Sequence, residues 1–189
     1  MLNLGFRTQL KNILDLLPQK RQNLLFSATL SQDVENLMKE YFNNPVRVEA
    51  APAGTPLDNI EQIAYHVPNF YTKVNLLDLL FEENEDMTKV LIFVATKKLA
   101  DQLYGQLELG YLNKIGVIHS NKEQNHRFNT IRQFHDGNYR ILIATDIIAI
   151  GLDVAEVSHV FNFDIPESPE NYIHRIGRTG RADKKGVAI

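Results

Sequence analysis

KVLIFVATKKLADQLYGQLEL, Lys89 to Leu109, decides the fold. Its first part, VLIFVA, is apolar at every position and no longer than a strand. Its second part, KKLADQLYGQLEL, reads as a helix. A strand that alternates apolar and polar residues can face water on one side, whereas a strand apolar throughout needs cover on both faces. Strand followed by helix, repeated, builds a parallel sheet with helices on both sides.

The same alternation extends outward from this stretch. Upstream lie a strand, IEQIAYHV, and a helix, YTKVNLLDLLFEEN. Downstream come strand KIGVIHS, helix KEQNHRFNTIRQFHDG, strand RILIATD, strand VSHVFNFD, helix SPENYIHRIGR and a final strand, GVAI. Nearer the start, FRTQLKNILDLLP reads as a helix stopped by Pro18 and QNLLFSAT (Gln22–Thr29) as a buried strand. SQDVENLMKEYF reads as a helix with Ser31 as N-cap, and NPVRVEA as a short strand. APAGTPLDN, Ala51 to Asn59, carries two prolines and a glycine with little periodicity, and reads as a linker. Open parallel sheets bind ligands beyond the carboxyl ends of their strands. That rule singles out Ser27 to Thr29, Thr96, His119 and Ser120, Thr145 and Asp146, and Asp164.

Composition sets the bounds. The 189 residues are 44% hydrophobic and 23% charged, enough for one domain with a core, or one domain and a piece of another. The absence of cysteine excludes disulfides and thiolate metal sites, and is compatible with a reducing cytosol. No apolar run is long enough to span a bilayer, and the start shows no signal-peptide pattern, so a cytoplasmic location without a membrane partner is expected. The net charge of −3 argues against a globally basic nucleic-acid binder. A local one remains open, because residues 114–189 hold ten Lys/Arg against nine Asp/Glu, and residues 1–113 hold ten against fourteen.

Three constellations could carry chemistry. In HRIGRTGR (His174–Arg181), Arg178 and Arg181 stand three apart, so on a helix two guanidinium groups could converge on one phosphate-sized anion. The plainer reading is a solvated basic helix end. Gly177 and Gly180 speak against it, since glycine weakens a helix unless something must approach closely. In ILIATDIIAIGLDV (Ile141–Val154), a hydroxyl at Thr145 and backbone N–H groups near Gly151 suit a nucleic-acid phosphate, and the carboxylate of Asp153 suits ribose hydroxyls. A capped helix start after a strand is the plain alternative. In HSNKEQNHR (His119–Arg127), Gln124 and Arg127 offer an amide and a cation on one helix face, a pattern more often found on a solvated face. No G-x-x-x-x-G-K-[ST] phosphate loop occurs; Gly105 to Gly110 comes nearest and is followed by Tyr111. No strand ends in paired acids for magnesium. His66, His126, His135 and His159 lack metal-ligand spacing, so no metal site is expected.

Taken in order, LLFSAT, LIFVAT, HSxxxQxxR, ATDxxxxGLD and YIHRIGRTGR are far more specific than any one alone. Together they resemble the carboxyl-terminal part of a DEAD-box ATP-dependent RNA helicase of superfamily 2, over essentially the whole chain. The bacterial RhlE-like branch is one candidate. The resemblance implies two RecA-like domains joined by a linker, with RNA and ATP bound in and across their cleft. Residues 1–50 would be the incomplete end of the first domain, 51–60 the linker, and 61–189 most of the second. ATP and Mg2+ would be cofactors of the intact protein, with the metal ligands in the missing amino-terminal domain.

By the same resemblance, Ser27 and Thr29 couple hydrolysis to strand separation. Thr96, Gln124, Arg127, Thr145 and Gly151 meet RNA, and Asp153 meets the ATP ribose. Arg178 and Arg181 are arginine fingers, and His174 links their motif to the first domain's catalytic acid. One departure stands out: Ile150 occupies a position where the family usually has arginine, which implies weaker coupling between RNA and ATP. The chain alone is expected not to hydrolyse ATP. A non-catalytic docking module of the same fold, and a DNA helicase or translocase of the same superfamily, are the other readings. Residues 1–50, a strand and helices without their sheet, are expected to be mobile or to pack on residues 61–189 or on another copy of the chain.

Overall fold

The structure, a computed structural model, describes residues 6–26, 32–48, 58–146, 154, 156–180 and 184–189. Ser27, Thr29, Ile150, Gly151, Asp153 and Arg181 lie outside the described residues. The chain divides into two compact units, Met1–Ala51 and Pro52–Ile189.

In the larger unit, the described residues form a six-stranded parallel sheet. Its elements are β1 (Ile60–Gln62), α3 (Phe70–Glu83), β2 (Val90–Phe93), α4 (Lys97–Leu107), β3 (Ile115–Ile118), α5 (Gln124–His135), β4 (Ile141–Ala144), β5 (His159–Asn162), α6 (Pro169–Ile176) and β6 (Gly186–Ala188). The strand order is β1-β6-β5-β2-β4-β3. In the centre Val90 pairs with Ile141 on one side and His159 on the other, and the register runs unbroken to Phe93, Ala144 and Asn162.

The period of two along a strand explains why VLIF and ILIA are apolar throughout. Val90, Ile92, Ile141 and Ile143 pack on one face against Leu77 of α3 and Leu103 of α4. Leu91, Phe93, Leu142 and Ala144 pack on the other against Phe134 of α5. All eight strand residues are buried, and each full-sized side chain so enclosed contributes about 1.5–3 kcal/mol. Side-chain caps fix where the helices begin. Asn69 accepts from Thr72 N–H at 3.0 Å, Thr96 from Leu99 N–H at 3.1 Å, and Ser168 from Asn171 N–H at 3.2 Å. Pro169, directly after Ser168, pre-sets the first turn of α6.

Two of the elements that end earlier than their sequence suggests bear on the site. The strand expected over IEQIAYHV stops at Gln62, with Ile63 N–H making one further bond, to Ala188 O at 2.8 Å. The helix expected over SPENYIHRIGR ends at Ile176, so Arg178 does not sit on a helix. Glycine is the reason. Gly177 ends α6, and Gly180 turns the chain at φ +64. A Cβ on Gly180 would stand 2.5 Å from Ile60 Cγ1. The close approach that Gly180 permits is therefore made by the protein's own β1.

The smaller unit contains α1 (Arg7–Leu16) and α2 (Gln32–Tyr41). They are joined by Arg7–Asp33 at 3.1 Å, Lys11–Glu40 at 2.6 Å and Tyr41 Oη donating to Asp15 at 2.7 Å. Leu37 is the one buried apolar side chain among its described residues. No strand forms in the described parts of QNLLFSAT and NPVRVEA: residues 22–26 and 44–48 are in no ladder. A strand exists only with a neighbour to take its N–H and C=O groups, and the described part of this unit offers none. Leu24, Phe26, Val46 and Val48 are accordingly 72%, 91%, 87% and 85% exposed.

Candidate nucleic-acid interface

Three adjacent strands, β2, β4 and β3, deliver the candidate RNA residues to one edge of the sheet. Thr96 follows β2. Its hydroxyl oxygen accepts the Leu99 N–H as a cap, and its own proton can still be donated outward. Thr145 follows β4 and is buried there. Gln124 opens α5 beyond β3, exposed, at a helix terminus whose N–H groups favour an anion. Arg127 follows one turn later, half-buried, and its Nε is buried with no hydrogen-bond partner among the described residues.

The loop between β3 and α5 is pinned from beneath. His119, 2% exposed, places Nε2 3.0 Å from Asp101 Oδ1, while its Nδ1 accepts the Asn121 N–H at 3.3 Å. That pairing implies a proton on Nε2, donated to Asp101. Lys122 reaches the same carboxylate at 2.9 Å. The hydrogen bond from His119, and next that from Lys122, hold the Asp101 carboxyl below its ordinary value. Across the edge, Lys97 Nζ donates to Asn121 Oδ1 at 2.8 Å, joining the loops that follow β2 and β3.

Sequence reasoning missed Arg175. It is 3% exposed and donates from Nε and Nη2 to the two carboxylate oxygens of Asp146, at 2.6 and 2.7 Å. Its Nη1 donates to Asn162 Oδ1 at 3.2 Å and to Asp164 O at 2.7 Å, and its guanidinium lies 5.1 Å from the Phe93 ring centroid. The available signal was Asp146 itself, a carboxylate directly after a buried strand, which needs a cation if it is to turn inward.

Arg178 is elsewhere. Its carbonyl accepts from Val157 N–H at 3.3 Å, and the neighbouring Thr179 hydroxyl donates to Val157 O at 2.6 Å. With Gly180 against Ile60, this turn stands at the amino ends of β1 and β5, opposite the edge that carries Thr96 and Thr145. His174 lies in the last turn of α6, half-buried. The structure thus gathers Thr96, Gln124, Arg127 and Thr145 at one end and sets Arg178 at the other. Among the described residues no group of three or more His, Asp or Glu is placed to hold a metal ion. No described helix is long and apolar enough to cross a membrane.

Comparison with known proteins decides the family. The model of the helicase conserved C-terminal domain matches residues 72–183. The chain belongs to this helicase C-terminal domain family. Its relatives include the ATP-dependent RNA helicase DbpA of Bacillus subtilis, 43% identical over 190 residues, covering 100% of this chain and 39% of that protein. The ATP-dependent RNA helicase RhlB of Shewanella amazonensis is 38% identical, covering 100% of this chain and 43% of its own length. The helicase domain thus comes in a chain spanning about two fifths of these curated relatives. Among solved structures, S. cerevisiae Dbp5 bound to RNA and ADP BeF3 matches with a TM-score of 0.81 at 35% identity, over 98% of this chain and 48% of that one. The parallel sheet of the helicase C-terminal domain is therefore the RecA-like sheet of DEAD-box structures.

Proposed function

We propose that this chain is the carboxyl-terminal part of an ATP-dependent DEAD-box RNA helicase, in which RNA lies along the edge formed by Thr96, Gln124, Arg127 and Thr145. Gly151 joins that edge in this reading, and Asp153 meets the ATP ribose. Residues 1–50 are the end of a first RecA-like domain, 51–60 a linker and 61–189 the second domain. The observation that supports it best is the convergence of hydroxyl, amide and guanidinium groups from neighbouring strands on one edge. Such groups suit a sugar–phosphate backbone, and the contact would be tolerant of sequence. Arg178 and Arg181 then reach a phosphate held by the first domain, with Mg2+ held there too. His174 tethers their motif to that domain, and Ser27 and Thr29 couple its hydrolysis to strand separation. A cytoplasmic location goes with this reading.

Phosphoryl transfer is mostly positioning and charge stabilisation, and an arginine supplied across a cleft contributes about 10³ to 10⁵ in rate. Hydrolysis then depends on closure, which RNA bound by both domains favours. The test is RNA-stimulated ATP hydrolysis by the full-length protein. Arg178→Ala with Arg181→Ala should lower kcat by about 10³ or more while RNA binding at the opposite edge persists. Normal turnover in the double variant would sink the proposal.

A further inference from the structure

Arg175 ties together loops that leave three neighbouring strands. It grips Asp146 after β4 and the Asp164 carbonyl after β5. Asp164 in turn accepts, through Oδ2, the N–H of Ala95 at 2.8 Å, next to Thr96 after β2. A guanidinium fork on a carboxylate is directional as well as strong, and burial in a low-dielectric site makes it stronger. Asp146 cannot turn or shift without carrying Arg175 along or breaking both bonds.

The same side chain belongs to the helix end that leads to Arg178. Arg178 N–H donates to Arg175 O at 3.2 Å, and Thr179 N–H to Ile176 O at 3.0 Å. Ile176 between them is wholly buried. Beyond it, the Thr179 hydroxyl anchors the turn to Val157 O and Ser158 O. Arg178 therefore sits on a short turn held at one side by the start of β5 and at the other by a helix end that answers to Asp146.

We infer that Asp146 and Arg175 are positioning residues through which RNA held at Thr145 sets the placement of Arg178. This rests on the function proposed above and names its regulation. Thr145 and Asp146 are consecutive, so a backbone fixed at the first fixes the second. The fork passes that constraint to α6, and the turn passes it to Arg178. Neither Asp146 nor Arg175 touches RNA or nucleotide in this scheme. Coupling between the two sites is read directly from the RNA stimulation of hydrolysis.

In the full-length protein, Asp146→Asn keeps the shape of the pair and removes its charge, and Arg175→Lys keeps the charge and removes the fork. At saturating single-stranded oligouridine, both should lose at least about fivefold of the RNA stimulation of kcat, the lower end of typical coupling between sites. Loss that more RNA restores would reflect weaker binding and would overturn the inference. So would stimulation equal to that of the unsubstituted protein. An unsubstituted protein that RNA does not stimulate would overturn the proposed function as well. Should both variants fail to fold, hydrogen exchange in the unsubstituted protein decides. Oligouridine should slow exchange over Ile173–Arg178 as well as around Thr145, and protection confined to Thr145 would overturn the inference.

Discussion

Charge at single residues follows burial closely in this chain. His159 opens β5, is buried, and keeps an Nδ1 with no hydrogen-bond partner among the described residues. Burial pushes its imidazole below the ordinary value of 6.5, and nearby Asp86 opposes this more weakly. The folded state thus holds the neutral ring, while the unfolded chain takes up a proton near pH 6.5. The unfolded state binds more protons in that window, so stability rises with pH there. It is complete above about pH 6.5 and falls as pH drops below that value toward the depressed one. Melting temperatures at pH 7.5 and 5.5 should show a larger acid loss for the unsubstituted chain than for His159→Gln, which stays neutral throughout. Equal losses would remove His159 as the cause. Arg175 makes the complementary point. It stands three residues before Arg178, at the same interval that separates Arg178 from Arg181, yet it is turned inward onto Asp146. Equal spacing in a sequence does not tell which arginine has a carboxylate beneath it.

Elements were legible where their stability is local or where both faces demand cover. VLIF and ILIA could be read because eight consecutive-position side chains of these strands are buried on two faces. The caps Thr96 and Ser168 are polar residues placed directly before helical segments. QNLLFSAT carries the same apolar signal of a strand, yet its described residues, 22–26, are in no ladder, because pairing is a property of neighbours and not of the segment. The end of α6 was misjudged for a different reason. The glycines of HRIGRTGR suggest an outside ligand, whereas Gly177 ends the helix and the close contact at Gly180 is with Ile60 of β1. Gly180→Ala tests this directly. A left-handed φ and a Cβ at 2.5 Å from Ile60 Cγ1 both act against alanine. The variant should lose about 1–3 kcal/mol, the usual range for forcing a methyl group into a filled site. Urea unfolding would show it as a lower midpoint at unchanged slope. A midpoint equal to that of the unsubstituted chain would mean that the turn adapts at no cost.

Over the whole molecule, the two units differ in what holds them. Pro52–Ile189 has a sheet buried on both faces, and its central strands β2, β4 and β5 contain residues with no exposed surface at all. Met1–Ala51 has one buried apolar side chain among its described residues, and its helices are joined by exposed ion pairs such as Arg7–Asp33 and Lys11–Glu40. Exposed pairs of this kind contribute about 0–1 kcal/mol each, far less than the entropy of ordering the helices. Local opening of the smaller unit should therefore need much less free energy than opening of the sheet. Hydrogen exchange on the dilute chain provides the measure. Amides of Arg7–Leu16 and Gln32–Tyr41 should exchange at least about a hundredfold faster than those of Val90–Phe93 and Ile141–Ala144, a gap of about 2.7 kcal/mol. If residues 1–50 end a first RecA-like domain as proposed, a longer polypeptide that carries that domain should close much of that gap by covering Leu24, Phe26, Val46 and Val48. Strong protection of both helices in the dilute monomer would show instead that the smaller unit is stable without such cover, and that its exposed apolar side chains serve another surface.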